Sequence, residues 1–301
     1  MYNIIGDIHS RDVWKKLVRE DCVNVFVGDY FSPYEYHTFN EQEECFMDIV
    51  LYKMKHPETI MLIGNHDEDH WHIREMYSRF DMRHYEDISR LFEENKDYLQ
   101  IAYSIENKIL VTHAGVSVVW YEGYFNKNFY SYLDNCTGDD YDLATSPEEA
   151  YNILQEKLKD DTFNFYPQKP SILEWNNKFW RYNGQCFEEI KENPDHLAKF
   201  INDNWLSGKY NMFNFRDNSS REDYYGESYT HGPLWIRPSS LRFNDIFKYS
   251  EFKQVVGHTK VKKIICNNNI YFIDTLSEKN PESLLIDINK DGNIQFSINK
   301  I

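Results

Sequence analysis

A chain of 301 residues with 41% hydrophobic content is long enough for a sizeable core and too apolar to be globally disordered. Its formal net charge of −16 argues against general nucleic-acid binding and against anionic membranes. A phosphorylated ligand stays compatible with that charge wherever bound metal reverses the potential locally. Five cysteines at long spacings, with no C-x-x-C pair, indicate neither a zinc ribbon nor a disulfide framework. They read as reduced thiols in a cytoplasmic setting. The N-terminal residues carry no basic leader, and no apolar run reaches the roughly 20 residues of a membrane span.

In chain order, Tyr2 to Ile5 reads as a short apolar strand ending at Gly6. Arg11 to Arg19 has a helical pattern, with Val13, Trp14, Leu17 and Val18 on one face. Val23 to Val27 is a second strand ending at Gly28, Glu41 to Met54 an amphipathic helix, and Thr59 to Ile63 a third strand ending at Gly64. This βαβαβ start predicts a parallel sheet with helices on its faces. Ile101 to Ser104 and Lys108 to Thr112 read as adjacent strands joined by Glu106-Asn107. From about 120 to 230 periodicity is poor, with helices predicted over Pro147 to Lys159 and Pro194 to Asn202. Strands return at Gln254 to Val256, Lys263 to Cys266, Ile270 to Ile273, Leu284 to Ile288 and Ile294 to Ile298, with Asn-rich or Asp-Gly turns. The expected organisation is one domain over 1–301, with 120–230 as an inserted cap or irregular segment. The N-terminal sheet is expected to be largely parallel and the C-terminal strands to supply the antiparallel part.

One event recurs: an apolar strand, a glycine or small residue, then side chains able to bind metal. Asp7 and His9, Asp29, Asn65, His113, and His258 each follow a strand. A single Gly-Asp pair is usually only a turn. Five such elements in order carry more weight, because ligand sites gather at the carboxyl ends of strands. Carboxylate, amide oxygen and imidazole suit divalent ions, Mn first, with Fe or Zn as the other options. Two ions roughly 3.5–4 Å apart can clamp a phosphate and generate hydroxide from water. Such a pair needs a bridging carboxylate, for which Asp29 is the natural candidate, and His66 can serve as general acid toward the leaving oxygen. His70 and His72 read as ordinary loop or helix residues. No Gly-x-Ser-x-Gly elbow supports a covalent serine mechanism, and no Gly-x-Gly-x-x-Gly loop supports a dinucleotide-binding domain.

Gly6-Asp7-Ile8-His9, Gly28-Asp29, Gly64-Asn65-His66-Asp67, His113-Ala114-Gly115 and Gly257-His258-Thr259 together resemble the calcineurin-like metallophosphoesterase superfamily. His113-Ala114-Gly115-Val116-Ser117, Leu234-Trp235-Ile236-Arg237-Pro238 and Val255-Val256-Gly257-His258-Thr259 resemble its phosphoprotein phosphatase branch, which includes bacterial and phage Ser/Thr phosphatases and symmetrical dinucleoside tetraphosphatases. The resemblance implies a four-layer α/β/β/α sandwich of two mixed sheets flanked by helices. It implies two divalent metal ions, the first on Asp7, His9 and Asp29, the second on Asp29, Asn65, His113 and His258. It implies that His66 protonates the leaving group and that Arg237, with Asn65, holds the substrate phosphate. The expected substrate is a phosphorylated protein, a nucleotide or another small phosphate ester. The second block departs from the pattern: Ser32 stands where the resemblance leads one to expect an Asp supporting His66, and Pro33 where an Arg is expected. Glu35, Asp67 and Asp69 are the candidates to support His66 instead. These departures motivate an alternative, a degenerate member that binds or scaffolds without catalysis.

Overall fold

The computed structural model describes residues 1–72, 79–118, 120–121, 175–176, 179–180, 193–213, 231–248 and 250–301. The chain divides into two compact units, Met1–Tyr121 with Asn193–Ile301, and Glu122–Glu192. In chain order the first unit begins β1 (Tyr2–Ile5), α1 (Trp14–Leu17), β2 (Val23–Phe26), α2 (Phe39–Lys55), β3 (Ile60–Leu62), α3 (Asn65–His72), α4 (Tyr85–Glu94) and β4 (Leu99–Gln100), followed by β5 (Ala102–Ile105) and β6 (Ile109–Thr112). In the second unit β7 (Trp175–Asn176) and β8 (Phe179–Trp180) pair antiparallel. The first unit then resumes with α5 (Pro194–Leu206), α6 (Pro238–Asn244), β9 (Lys253–Val256), β10 (Ile265–Asn267), β11 (Ile270–Phe272), β12 (Glu282–Ile288) and β13 (Ile294–Lys300). The helix expected over Pro147 to Lys159 lies outside the described residues.

Two mixed sheets form the first unit. One runs β13-β12-β1-β2-β3-β4, the other β10-β11-β9-β6-β5. The strands β1 to β4 are parallel, and the C-terminal hairpin β12–β13 adds to this same sheet antiparallel to β1. In the second sheet β9 lies parallel between β6 and β11, while β5 and β10 pair antiparallel at the edges. As expected, the N-terminal strands are parallel and β10, β12 and β13 supply antiparallel pairs; β9 and β11, also C-terminal, depart from the expectation by pairing parallel. Ile4, Val25, Leu62 and Ile286 of the first sheet pack with Ile105, Ile109, Val111 and Val255 of the second in one fully buried core. At about 1.5–3 kcal/mol for each large apolar side chain, this shared core holds the sheets together and fixes their strand ends beside each other.

The local sequence accounts for most elements. The helix α2 starts in a capping box: Glu41 N donates to Thr38 Oγ1 (3.3 Å) and Thr38 N donates back to the Glu41 carboxylate (2.7 Å). Its buried stripe is Gln42, Cys45, Phe46, Ile49 and Val50, the spacing of one helical face. The first helix is only four residues, shorter than Arg11 to Arg19. It has no side-chain N-cap, and Val18 is already extended. A polar ladder replaces its last turn: Asn3 Nδ2 donates to Leu17 O (2.9 Å) and to Asn24 Oδ1 (2.8 Å), and Ser283 Oγ donates to Asn3 Oδ1 (2.7 Å). Glu106 and Asn107, both at φ 51°, make the two-residue turn between β5 and β6. The amide of Asn202 on α5 bonds the backbone of Ile101 and Ala102 and ties that helix to β5.

Candidate functional site

Asp7 and His9 follow β1, Asp29 follows β2, and Asn65 follows β3 as the first residue of α3. His113 follows β6 and His258 follows β9 in the other sheet. All five loops leave carboxyl ends of strands, so six residues spread over 251 positions meet in one place. Their backbones are bent to do so: His9, Asp29 and His258 are left-handed at φ 46°, 54° and 61°, as are Ser10 and Ser32 at 58° and 61°. Such conformations cost of order 1–3 kcal/mol each and persist only where the surroundings enforce them. Here Ile8 N, His9 N and Ser10 N donate in succession to Gly28 O, Asp29 O and Tyr30 O, stitching the first loop to the second.

Two glycines permit the approach. A Cβ on Gly64 would stand 2.2 Å from Asp29 Oδ1, and one on Gly257 would stand 2.2 Å from Asp7 Oδ1. Asp67 closes the third loop on the second. Its carboxylate accepts from Asp29 N (2.7 Å), Tyr30 N (2.8 Å) and Gly64 N (2.9 Å). That occupation explains why Asp67 is in the motif: it is a backbone staple, and it holds no hydrogen bond to His66.

The electron pairs of the cluster converge. His9 Nδ1 donates to Phe31 O (3.1 Å) and His113 Nδ1 donates to Val27 O (2.8 Å), because a carbonyl oxygen can only accept. Burial pushes both imidazoles down from their ordinary range and keeps them neutral, so each Nε2 presents a bare lone pair. His9 Nε2 lies 3.5 Å and His113 Nε2 3.6 Å from the same oxygen, Asp29 Oδ2. Asn65 Oδ1 is 2.9 Å from both His113 Nε2 and His258 Nδ1. His258, also held neutral by burial, keeps Nε2 buried without a partner. Burial first, then Asp274 and Asp29, raises the Asp7 carboxyl well above its usual value. One oxygen or nitrogen from each of Asp7, Asp29 and His113 falls within 4.8 Å of the others. Facing acceptors repel unless a cation sits among them, so the donor set fits divalent ions, with the Nδ1–H···O=C bonds orienting the imidazoles from behind.

His66 and Arg237 flank this cluster. His66 N donates to Asp29 Oδ1 (3.0 Å), and burial pushes the imidazole down to about 3. Arg237 Nη1 donates to His258 O (3.3 Å) and Thr259 Oγ1 (3.1 Å), so it stands beside the fifth loop. Ser32 Oγ is buried without a partner and offers His66 nothing. His70 and His72 are helical residues of α3. His70 Nδ1 meets His66 O (2.6 Å), and its Nε2 accepts from Asp81 N (2.9 Å), so it serves the helix and the following loop. Three groups at the site gave no signal in the sequence. Arg79 donates through Nη2 to His66 Nε2 (2.7 Å), Asp274 is buried beside Asp7 with its carboxyl raised to about 6 by burial, and Tyr34 sits edge-on to His9. Arg79 and Asp274 belong to no strand–glycine–ligand block and are brought in only by the fold; Tyr34 ends the second block but is not a ligand type.

The chain belongs to the calcineurin-like phosphoesterase family, whose family model matches residues 3–204. Two mixed sheets with flanking helices and a strand-end site are the fold of that family, and membership implies divalent metal ions. Within it, the chain is similar to the serine/threonine-protein phosphatase 4 catalytic subunit of Kluyveromyces lactis, 30% identical over 125 residues. That stretch covers 38% of this chain, and the chain spans only 38% of the relative's length. Among solved structures it is similar to a serine/threonine phosphatase from Saccharomyces cerevisiae described as similar to human phosphatase PP5 (12% identity, TM-score 0.43, covering 99% of this chain and 78% of the other). Among the described residues no helix is long and apolar enough to cross a membrane.

Proposed function

We propose that the chain hydrolyses phosphate esters as a two-metal phosphoesterase, with Asp7, His9 and Asp29 holding one divalent ion and Asp29, Asn65, His113 and His258 the other. The observation that carries this reading is the set of facing lone pairs within 4.8 Å, contributed by Asp7, Asp29 and His113 from three different loops. Manganese is the proposed metal, with Fe or Zn as alternatives, since the set is oxygen and imidazole with no thiolate. Bound there, the ions polarise phosphate oxygens and acidify water, which permits direct displacement without a covalent intermediate.

The chain's own residues do the rest. Asp29 would be the carboxylate shared by the two ions, held by the backbone N–H of His66 on Oδ1. Arg237, anchored at His258 O and Thr259 Oγ1, presents its remaining N–H groups to a phosphate, with Asn65 beside it. His66 is the proposed proton donor to the leaving oxygen, a role it takes up once protonated and released from the Arg79 N–H that its Nε2 accepts here. The relative's name makes a phosphorylated protein the leading substrate, with nucleotides next. A cytoplasmic setting suits Cys22, Cys45 and Cys266, which are free thiols. Residues 120–230 are proposed as an inserted cap or irregular segment, within which Glu122–Glu192 is a compact unit of its own.

Hydrolysis of p-nitrophenyl phosphate after metal removal and add-back of Mn, Ni, Zn or Mg tests the proposal. Turnover should require metal and fall at least ~100-fold in Asp29→Asn. Metal uptake without turnover would sustain the binding-only alternative, and absence of metal uptake would refute both.

A further inference from the structure

In a chain of net charge −16, four cations gather at this one site: Arg11, Arg79, Arg237 and Lys260. Three of them share one ring. Arg79 lies 3.7 Å, Lys260 3.1 Å and Arg11 5.3 Å from the centroid of Tyr34, which is 47% exposed at the mouth of the site. Arg11 and Lys260 both face the carboxylate of Asp274, and Arg11 also those of Asp7 and Glu35, so these two cations answer the site's own acids as well as any incoming anion.

Arg79 is the best placed of the three. Its guanidinium is held flat on Tyr34, Nη1 donates to Ser32 O (2.6 Å), and Nη2 donates to His66 Nε2 (2.7 Å). Guanidinium has five N–H groups in a rigid fork, and these two bonds leave the others for a ligand. No carboxylate among the described residues forms an ion pair with it. Its two protein acceptors are a backbone carbonyl and a neutral imidazole, both weaker partners than a phosphate oxygen. His66 N is bonded to the bridging Asp29, so Arg79 reaches the edge of the metal cluster from the side of the second loop. Arg237 reaches it from the side of the fifth loop. The second loop itself, Ser32-Pro33-Tyr34, has no cation of its own, and Arg79 supplies one from 47 residues further along the chain.

We propose that Arg79, laid on Tyr34, binds the substrate's phosphoryl group, and that with Arg237 it selects a doubly charged terminal phosphate over a singly charged diester. This rests on the phosphoesterase reading and names its substrate class. A terminal phosphate presents three peripheral oxygens and two charges, enough for a guanidinium on either side. A diester has one fewer of each.

The test uses the full-length metal-loaded protein and two variants, Arg79→Ala and Arg79→Gln, the second keeping an N–H for Ser32 O. Calorimetry with inorganic phosphate reads binding without needing turnover, so a failure of hydrolysis in the wild type leaves this proposal testable. Loss of one charge-assisted contact should weaken phosphate about tenfold or more in both variants, with two metals still bound. Where the wild type turns over, KM for p-nitrophenyl phosphate should rise by the same factor, and by several-fold more than KM for bis(p-nitrophenyl) phosphate. Guanidinium ion added to Arg79→Ala should restore part of the loss, which a merely structural role would not allow. Unchanged phosphate affinity in metal-loaded Arg79→Gln would overturn the proposal, as would an equal loss toward monoester and diester.

Discussion

Replacing Asp67 by Ala separates two roles that the sequence leaves open, support for His66 and support for the backbone. The structure commits to the second. Three buried N–H groups, of Asp29, Tyr30 and Gly64, point at one carboxylate at 2.7, 2.8 and 2.9 Å. Removing the acceptor leaves all three unsatisfied in a site with no room for them to turn. Each orphaned donor costs about 1–3 kcal/mol, so the substitution should destabilise by at least about 3 kcal/mol. That is a large part of the 5–15 kcal/mol typical of a domain. At roughly 2–4 °C per kcal/mol, the melting temperature should fall by about 6–12 °C. Scanning calorimetry of the metal-free protein reads this directly, and metal titration should show weakened uptake, because Asp29 and the start of α3 lose their common anchor. An unchanged melting temperature together with a lowered kcat would refute the argument and return Asp67 to the role of a partner for His66.

Two further outcomes follow from the same geometry. Gly64→Ala places a methyl group 2.2 Å from Asp29 Oδ1 and 2.5 Å from Asp29 N, both fixed, so metal stoichiometry measured by elemental analysis should drop while the far edges of both sheets stay folded. Acid should destabilise the metal-free protein from about pH 6.5 downward. The unfolded chain then takes up protons on imidazoles that burial holds neutral in the fold, His66 down to about 3. For His66 alone the loss at pH 5 is about 2 kcal/mol. Asp274 acts in the opposite sense: raised to about 6, it stabilises the fold at low pH and loses that contribution as pH rises through 6, offsetting about 1 kcal/mol, and the raised carboxyls of Asp7 and Asp67 act in the same direction. Melting temperatures of chelator-treated wild type and His66→Phe across pH 5–7.5 check the sign: the variant should show the shallower fall.

What the sequence disclosed followed from how local each signal is. Tyr2–Ile5 is a strand bounded by glycine, and it reads correctly because the apolar run and its terminator are adjacent. The five ligand blocks are legible for the same reason. Sheet pairing is not local: nothing near Lys253–Val256 says that it lies parallel to Ile109–Thr112, or that Glu282–Ile288 crosses to the first strand. The short helix Tyr85–Glu94 shows only Ile88, Leu91 and Phe92 as a buried stripe, too few to stand out. Arg79 was invisible because its partners, Ser32 O and His66 Nε2, lie on the second loop and on the helix Asn65–His72.

The position of the first strand has a consequence for how the molecule is made. Tyr2–Ile5 lies between Val23–Phe26 and Glu282–Ile288, so one of its edges waits for a strand made far later in the chain. Until then a nascent chain carries an open, apolar strand edge directly before Asp7 and His9, the arrangement most prone to pair with the wrong partner. His258 is also late in the chain. The metal cluster therefore cannot close until His258 has joined the four earlier loops, long after Asp7 and His9 have been made.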